Sequence, residues 1–570
     1  MVQPPGQRIK KNVFDPQSNR ATSLQKANSP VKIEVISQWL SDYPNSADRE
    51  FILNGFTFGF RIPFSGSREP RFAKNHGSAT KRPLIVSEKI EKEVSLGRVA
   101  GPFTLPPLKN LIVSPLGLVP KSNTGEFRLI FDLSYPHGHS VNDGIKHEDA
   151  TVQYTRFDAI TELVRHEGRG SFLFKIDIQS AFRLMPIHPD DFPLLGMSHL
   201  KKYYVDKCLP FGLSVSCKVF EKFSTFLEWA LKQYTNSDQI IHYLDDFGAC
   251  NRDKRDANVM LANAIELFTS MGVPIAHDKI EGPATCITFL GLEVDSESMS
   301  VRIPGDKLFE LRRLVSQTIG RLGQKITLRE IQSLLGKLNF ACRAVVPGRA
   351  FCRRLIDATK GLSRPYHRRR VTEAMVEDLL VWKTFLESFN GRSFMMDNVD
   401  RVVLDLFTDA AAARGFGAYF EGHWAQGPWP EELHRTVAKN DITFKELFPI
   451  ALSVLLWGEQ WSNKKIMFHC DNAAVVTIIN NQTSKSEATM HLVRLLVAEC
   501  LYYNISFRSE HIPGLDNSIA DAISRFQIYR FRELAPGADI EPTRIQPHIW
   551  QKLLPRSRDW SQQHLHRPLE

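Results

Sequence analysis

Two adjacent carboxylates interrupt an apolar segment near the middle of the chain. Asp245 and Asp246 lie within residues 240–249, between two short runs that are typical of β-strands. Asp-Asp is not a favoured two-residue hairpin turn, and two like charges held close together repel each other. A bound cation would relieve that repulsion. The segment therefore predicts a β-hairpin whose tip presents two acids to a divalent metal ion.

A third acid, Asp177, ends the apolar run of residues 172–176. If that strand neighbours the hairpin, three carboxylates converge. Such a cluster binds Mg²⁺ through oxygen ligands, and two ions about 4 Å apart can activate a 3′-hydroxyl and stabilise a pyrophosphate leaving group. The residues then predict nucleotidyl transfer. Taken singly, a strand-end Asp is usually a solvated cap, and an Asp-Asp pair is usually only a turn.

Composition limits the class of protein. The 570 residues are 43% apolar and 24% charged, which is typical of a globular chain of about three to five domains. The net charge of +9 indicates a mild preference for polyanions. The eight cysteines form no Cys-x-x-Cys pair, so we expect neither a zinc ribbon nor a disulfide framework. Without a signal sequence or a long apolar window, we expect an intracellular protein of the cytoplasm or nucleus, not bound to a membrane.

Hydrophobic periodicity divides the chain into segments. Strand-like and helical stretches alternate up to about residue 300, helical spacing dominates up to about residue 395, and a second alternating region follows. A capping box, Thr327-x-x-Glu330, predicts a helix start in the middle region. The predicted segments are a disordered N-terminus (1–30), an N-terminal extension (31–100), a first α/β unit (101–300), a helical module (301–395), a second α/β unit (400–525) and a Pro-rich tail (526–570).

Four motifs of the first α/β unit occur in a fixed order. They are Asp177, Leu-Pro-Phe-Gly-Leu (209–213), Tyr-Leu-Asp-Asp (243–246) and Phe-Leu-Gly-Leu (289–292). In this order the chain resembles the reverse transcriptases. The resemblance implies a right-hand polymerase, with fingers and palm in residues 101–300 and a helical thumb and connection in residues 301–395. Phe211 stands where retroviral enzymes carry Gln, and this version is similar to the retrotransposon branch.

The same resemblance implies roles for individual residues of the polymerase. Two Mg²⁺ ions, with Mn²⁺ as an alternative, would be held by the three acids and the backbone carbonyl of Ile178. The implied substrate-binding residues are Lys121 and Arg128 for the triphosphate, Phe182 as a gate that excludes a 2′-hydroxyl, Gly212 for close backbone approach to template-primer or nucleotide, and Lys279 as general acid.

A basic segment lies in the predicted helical module. Residues 349–370 contain eight cations and one acid, Asp357. A phosphate backbone is the expected counter-surface for such a cluster. A solvated loop or a localisation-like cluster is the alternative interpretation. Neither interpretation implies base-specific recognition.

The second α/β unit carries four acids of its own. Asp409 and Asp471 end strand-like runs, whereas Glu446 and Asp521 begin helical ones. The patterns Thr443-x-x-Glu446 and Ser518-x-x-Asp521 also fit capping boxes, in which the acid satisfies backbone donors. A first-turn acid that caps a helix can still face a catalytic site, so both interpretations stay open.

This arrangement of acids resembles ribonuclease H, another two-metal fold. The resemblance implies that Asp409, Glu446, Asp471 and Asp521 hold a second pair of Mg²⁺ ions. It implies that His511 assists product release or proton transfer. The reaction would be attack of water on a phosphodiester of the RNA strand of an RNA/DNA hybrid.

Further motifs at residues 54–64, 97–103 and 511–514 resemble the tyrosine-recombinase (DIRS and Ngaro-like) retrotransposons. The implied protein is an RNA-directed DNA polymerase with ribonuclease H activity. Its implied partners are an RNA template, a DNA primer, an RNA/DNA hybrid, deoxynucleoside triphosphates and a separately encoded recombinase. A decayed element protein that binds nucleic acid without catalysis is the alternative. An RNA-dependent RNA polymerase is disfavoured, because Phe182 and the second acidic unit would serve no purpose there.

Overall fold

The computed structural model describes residues 24–120, 125–388, 392–394, 403–431, 433, 441–462, 464–503 and 505–554. The chain forms two compact units, one of residues 1–290 with 295–298 and one of residues 291–294 with 299–570. This division lies next to the boundary that the sequence predicts at residue 300. Residues 1–23 of the predicted disordered segment 1–30 lie outside the described residues. The other predicted boundaries stay predictions.

The first unit combines helices with short strands. Its α-helices are α1 (Ile33–Asp42), α2 (Ser46–Phe58), α3 (Gly77–Thr80), α4 (Pro83–Ser95), α5 (His147–Ala150), α6 (Asp158–Glu167), α7 (Ser216–Thr235) and α8 (Lys254–Ser270). Its strands are β1 (Arg71–Phe72), β2 (Val99–Phe103), β3 (Ile112–Val113), β4 (Leu116–Pro120), β5 (Phe127–Phe131), β6 (Phe172–Asp177), β7 (Gly196–His199), β8 (Lys202–Asp206), β9 (Ile240–Tyr243), β10 (Asp246–Asn251), β11 (Glu281–Ala284) and β12 (Cys286–Phe289).

The sheet that matters for function has the strand order β11–β6–β10–β9. Strands β9 and β10 form an antiparallel hairpin, and β10 also pairs antiparallel with β6. Ile176 and Phe247 are fully buried between this sheet and the helices packed on it. Apolar residues therefore fix the register, because a slip of one residue would turn these side chains toward water.

Helix α7 supplies much of the core of the first unit. Phe220, Phe223 and Phe226 recur at intervals of three residues and are fully buried. The ring of Phe223 contacts Phe56 of α2, and the ring of Phe226 contacts Tyr43, which follows α1. Burying one such side chain stabilises the fold by about 1.5–3 kcal/mol. The N-terminal extension is thus packed onto the same core as the predicted polymerase motifs.

The second unit begins with a helical region and continues into a sheet. Its strands are β13 (Leu292–Asp295), β14 (Ser300–Arg302), β15 (Lys325–Thr327), β16 (Arg368–Arg370), β17 (Arg392–Phe394), β18 (Val403–Ala411), β19 (Gly415–Phe420), β20 (His423–Pro428), β21 (Lys465–Cys470) and β22 (Ser506–His511). Its α-helices are α9 (Gly305–Ile319), α10 (Leu328–Ala341), α11 (Arg353–Ala358), α12 (Glu373–Ser388), α13 (Ile442–Trp457), α14 (Ala473–Asn481), α15 (Glu487–Tyr502), α16 (Ser518–Ser524), α17 (Ile528–Leu534) and α18 (Pro547–Leu553).

The main sheet of this unit has the order β20–β19–β18–β21–β22. Strands β18, β21 and β22 are parallel, so their carboxyl ends meet at one edge. Helix α13 is almost entirely buried, as expected for a helix that is apolar on all sides, and it contains Pro449. The prediction of a mixed architecture, two α/β regions joined by helices, is confirmed.

Three helix starts test the predicted capping boxes. The box of Thr327 and Glu330 is present at the start of α10. The box predicted at Thr443 is wrong, because α13 begins earlier and the side chain of Asp441 accepts a hydrogen bond from the backbone N–H of Phe444. The box predicted at Ser518 is also wrong, because Asn517 is the N-cap and makes no side-chain cap bond. Glu446 and the carboxylate of Asp521 are therefore available for other contacts.

The described part of the predicted Pro-rich tail is folded. Helix α17 buries Phe531, whose ring lies 4.9 Å from that of Trp424, and α18 buries Ile549 and Leu553. Prolines separate these short helices without preventing them from packing, and α18 begins at Pro547, where the missing N–H costs nothing. In the described ranges, no helix has the length and apolarity needed to cross a bilayer.

Candidate active sites

The first acidic cluster lies at the hairpin of β9 and β10. Leu244 adopts a left-handed backbone conformation, with φ 53°, and this turns the chain between Tyr243 and Asp246. Asp246 lies directly opposite Asp177 across β10 and β6. The backbone N–H of Ile178 donates to the carbonyl of Asp245 at 2.9 Å. The structure therefore brings the three predicted carboxylates together.

The charges of this cluster are only partly balanced by the protein. Burial raises the pKa of Asp246 to about 6, and the neighbouring Asp245 and Asp177 add to this shift. Burial also raises the pKa of Asp245. The Nζ of Lys279 lies 3.0 Å from Oδ2 of Asp177, and this hydrogen bond raises the pKa of Lys279. Lys175 also lowers the pKa of Asp246, but it is itself paired with Glu281. The three acids therefore keep negative charge for which oxygen-bound divalent cations are suited.

Three phenylalanine rings, of Phe182, Phe211 and Phe220, pack together in the first unit and form what we call the aromatic wall. Phe182 is buried just beyond β6, and its ring lies 5.1 Å from that of Phe211 and 5.6 Å from that of Phe220. Gly212 packs so closely that a Cβ would lie 1.8 Å from the backbone oxygen of Phe131. This contact explains the glycine without any ligand, and its predicted role toward template-primer or nucleotide stays a prediction.

The predicted triphosphate residues are only partly described. Arg128 is exposed on β5, opposite Val119 of β4. Lys121 lies outside the described residues. Their predicted role, like that of the Ile178 carbonyl, stays a prediction.

The second acidic cluster lies where the parallel strands of the second unit end. Asp409 is near the end of β18, Asp471 follows β21, and Glu446 projects from α13. Oxygen atoms of Glu446 and Asp471 and the sulfur of Cys470 lie within 4.8 Å of one another. Ser524 donates its hydroxyl hydrogen to Asp409.

Burial dominates the electrostatics of this cluster. It raises the pKa of Glu446 to about 9, and the charges of Asp409 and Asp471 add to the shift. Burial also raises the pKa of Asp409. One oxygen of Glu446 is buried without a hydrogen-bond partner. Such an uncompensated oxygen among acids fits a site that receives a divalent cation.

The two remaining predicted residues lie at the rim of this cluster. Although burial acts in the opposite direction, hydrogen bonds from Arg525 and Arg530 lower the pKa of Asp521. The Nη1 of Arg530 is 2.7 Å from Asp521. His511 is exposed at the end of β22, and its Nε2 lies 3.1 Å from the carbonyl of Asp471.

Sequence reasoning did not identify Cys470, Ser524 or Arg525 as site residues. Cys470 precedes Asp471, and Ser524 and Arg525 follow Asp521 within one helical turn, so proximity to the acids was the available signal. For Ser524 that signal is specific, since residues three or four apart share a helix face. For Cys470 the signal is correct but weak, since neighbouring residues of a strand usually point to opposite faces.

The basic segment 349–370 is partly occupied by internal ion pairs. Arg353 and Lys360 pair with Asp357, and Arg354 pairs with Glu377. Arg369 and Arg370 line a cavity of about 580 Å³, together with the paired cations of the segment and residues near the start of α15. The interpretation as a phosphate contact therefore applies to part of the segment only.

A comparison with protein families identifies the region around the first cluster. Residues 119–294 match the family model described as reverse transcriptase (RNA-dependent DNA polymerase). This stretch is similar to reverse transcriptase domains. It contains the three acids, the aromatic wall and Lys279. The match supports the predicted reverse transcriptase character of the polymerase motifs, whereas the DIRS and Ngaro-like subgroup is not shown.

Individual relatives cover parts of the chain. It is 27% identical over 237 residues to Protein P of duck hepatitis B virus (strain China), which corresponds to 40% of this chain and 28% of the relative. It is 24% identical over 218 residues to the Gag-Pro-Pol polyprotein of simian retrovirus SRV-2, 37% of this chain and 12% of the relative. The chain thus spans less than a third of the length of these curated relatives.

Among solved structures, a foamy viral protease-reverse transcriptase in complex with double-stranded DNA is similar with a TM-score of 0.47 and 14% identity. The match covers 90% of this chain and 84% of that chain.

Proposed function

We propose that the protein is an RNA-directed DNA polymerase with an attached ribonuclease that cleaves the RNA strand of an RNA/DNA hybrid. The observation that carries the proposal is the pairing of Asp177 with Asp246 across two strands, next to Asp245, inside a stretch that is similar to reverse transcriptase domains. The ribonuclease part is supported by the separate cluster of Asp409, Glu446 and Asp471.

The residues of the first cluster would hold Mg²⁺, with Mn²⁺ as an alternative. Bound divalent cations would supply charge neutralisation at the attacking 3′-oxygen and at the pyrophosphate leaving group. Lys279, already hydrogen-bonded to Asp177, can offer a proton or a hydrogen bond to a leaving phosphate. Phe182 would close the wall against a ribose 2′-hydroxyl, so that deoxynucleotides are preferred.

In the second cluster, Glu446 and Asp471 would hold divalent cations, which would supply charge neutralisation at the reacting phosphodiester and its attacking water. Ser524 keeps Asp409 in place by its hydrogen bond. His511 would act at the rim, where its side chain is exposed.

The proposed partners are an RNA template, a DNA primer, their hybrid and deoxynucleoside triphosphates. The finer proposal, a DIRS or Ngaro-like retrotransposon protein that acts in the cytoplasm or nucleus beside a separate recombinase, rests on the sequence motifs alone. The cation-lined cavity that includes Arg370 is a further place where a phosphate backbone would bind.

The test is extension of a DNA primer on an RNA template with Mg²⁺, together with cleavage of a labelled RNA/DNA hybrid. We expect Asp245→Asn to lower synthesis by roughly a thousandfold or more, because several kcal/mol of transition-state stabilisation are lost. Hybrid cleavage should survive in that variant. Glu446→Gln should have the reverse effect, so each variant is the control for the other.

The outcomes separate the proposal from its alternative. Binding of the hybrid without any incorporation or cleavage by the wild type would favour a decayed element protein. Incorporation of ribonucleotides as fast as deoxynucleotides would favour an RNA polymerase. An activity that survives the substitution assigned to it would show that the wrong acids have been chosen.

A further inference from the structure

Cys470 adds a sulfur atom to the oxygen donors of the second cluster. Its Sγ and oxygens of Glu446 and Asp471 lie within 4.8 Å of one another. Both Cys470 and Glu446 are buried, and Oε2 of Glu446 has no hydrogen-bond partner. The cluster therefore combines a soft donor with an oxygen that lacks any compensating group.

The donor set decides which cations such a site prefers. Mg²⁺ takes oxygen ligands in near-octahedral geometry and dehydrates reluctantly. Zn²⁺ accepts cysteine sulfur at about 2.3 Å and carboxylate oxygen at about 2.0–2.2 Å, in tetrahedral sites. At the tetrahedral angle, a sulfur and an oxygen bound to one zinc ion lie about 3.6 Å apart. The donor atoms of the three side chains lie within 4.8 Å of one another, so rotamer adjustments of about 1 Å would reach that geometry.

A purely structural role for Cys470 explains less. Its Sγ accepts a hydrogen bond from the backbone N–H of Asn472 at 3.4 Å, and a small buried thiol packs well in a core. This explanation accounts for the burial of the thiol. It does not account for the unpartnered oxygen of Glu446 beside it, which a coordinated cation would satisfy.

We propose that Glu446, Cys470 and Asp471 form a binding site for a thiophilic divalent cation of the Zn²⁺ type, which competes there with Mg²⁺. As the cation binds, the S–H bond of Cys470 and the carboxyl O–H bond of Glu446 break, and both protons pass to solvent. The competition with Mg²⁺ rests on the proposed ribonuclease function, whereas the binding itself does not. The first cluster offers only oxygen donors from Asp177, Asp245 and Asp246, so we expect no equivalent site there.

The direct test is a titration of the whole protein with Co²⁺, which replaces Zn²⁺ and shows a thiolate-to-metal absorption band in the near ultraviolet. The wild type should show this band, and Cys470→Ser should lose it. Cys500→Ser is the matched control, because Cys500 is an equally buried thiol of the same unit, in α15. That variant should retain the full band.

Glu446→Gln is the second variant, since it removes a ligand without touching the sulfur. We expect Co²⁺ to bind this variant more weakly by an order of magnitude or more. Circular dichroism and the thermal unfolding transitions of each variant show that both units are folded. A band that persists in Cys470→Ser, no band in the wild type, or unchanged Co²⁺ affinity in Glu446→Gln would each overturn the site.

A functional readout separates this inference from the proposed ribonuclease. Zn²⁺ added in the presence of Mg²⁺ should inhibit hybrid cleavage, relative to each variant's own activity, more in the wild type than in Cys470→Ser. If Zn²⁺ inhibits hybrid cleavage equally in the wild type and in Cys470→Ser, the proposed competition with Mg²⁺ at this site is wrong. If no hybrid cleavage occurs but the Co²⁺ band depends on Cys470, the proposed function fails and the cation site stands.

Discussion

The two acidic clusters balance their charges in different ways. In the first, Lys279 forms an ion pair with Asp177, and the pKa of Asp246 rises only to about 6. In the second, among the described residues, no ion pair reaches Glu446, and its pKa rises to about 9. The first cluster thus holds a fixed cation, Lys279, beside a central acid, whereas the fixed cations of the second cluster, Arg525 and Arg530, pair with Asp521 at its rim and leave Glu446 to be balanced by a cation from solution.

The difference follows from where each cluster lies. The first cluster lies at a hairpin tip, where the side chain of Lys279 is 57% exposed and can move. The second lies between a buried helix and the sheet, where Glu446 is only 6% exposed. A charge at the second place loses its hydration, so it is stabilised only by a directly bound partner.

After the loss of Asp245 itself, the largest expected effect concerns the fixed cation, Lys279. Lys279→Met removes the charge from beside Asp177, and we expect nucleotide incorporation to slow by about 100-fold, as for the loss of one electrostatic stabiliser in other enzymes. Lys279→Arg should retain more activity, because it keeps the charge. The measurement is single-turnover incorporation of one nucleotide.

Hybrid cleavage by the Lys279→Met protein is the internal control and should not change. If incorporation is equally fast in Lys279→Met and the wild type, the first cluster does not depend on its own cation, and the comparison between the clusters fails.

The next largest expected effect concerns the aromatic wall, which distinguishes the first cluster from the second. Phe182→Ala opens the space beside Phe211 and Phe220. We expect the preference for deoxynucleotides over ribonucleotides to fall by roughly 10- to 100-fold, the range over which a pocket discriminates by size. The measurement is the ratio of kcat/KM for the two substrates.

Phe182→Tyr keeps a ring of nearly the same size and is the matched control for the wall. It should preserve the preference for deoxynucleotides. If Phe182→Ala lowers incorporation of both nucleotides equally, the ring supports the core and does not select the sugar.

A smaller effect concerns stability and pH. The pKa of Glu446 is raised in the folded protein from 4.5 to about 9, so the folded state keeps a proton that the unfolded state has lost. Stability should therefore fall as pH rises between these values, by about 1 kcal/mol per pH unit in metal-free protein. The measurement is the free energy of unfolding in urea at several pH values.

Glu446→Gln cannot ionise and should flatten this dependence. The contribution of Asp246 has the same sign but a narrower window, since its pKa rises only from 3.8 to about 6. If the free energy of unfolding falls above pH 6 as steeply in Glu446→Gln as in the wild type, Glu446 is not the buried acid that causes this pH dependence.

The sequence predicted the parts of both sites that depend on strand ends. Asp177 and Asp471 follow apolar runs, and the hairpin acids interrupt one, so their positions could be read from local pattern. The cation that balances Asp177 could only be suggested, because Lys279 lies 102 residues further along the chain. Such long-range pairing is decided by packing.

Two features of the second unit could not be decided from local pattern. The Thr443 box is wrong because Asp441 caps the helix two residues earlier, and both patterns are locally plausible. The segment from residue 526 was predicted only as a Pro-rich tail, yet Phe531 contacts the ring of Trp424, more than a hundred residues earlier. Only this second contact has no local signal.

The smallest expected effect is that of replacing His511, and it tests which step of hybrid cleavage this residue assists. His511 contacts the backbone of Asp471 and not a carboxylate, so a role in product release is more consistent with its position than direct proton transfer. His511→Ala should then slow multiple-turnover hybrid cleavage by roughly threefold to tenfold and leave single-turnover cleavage unchanged, whereas loss of a proton donor would cost about 100-fold or more in both. His423→Ala, in the same sheet but paired with Asp539, is the control and should change neither rate. Equal losses in both assays would assign His511 to the chemical step.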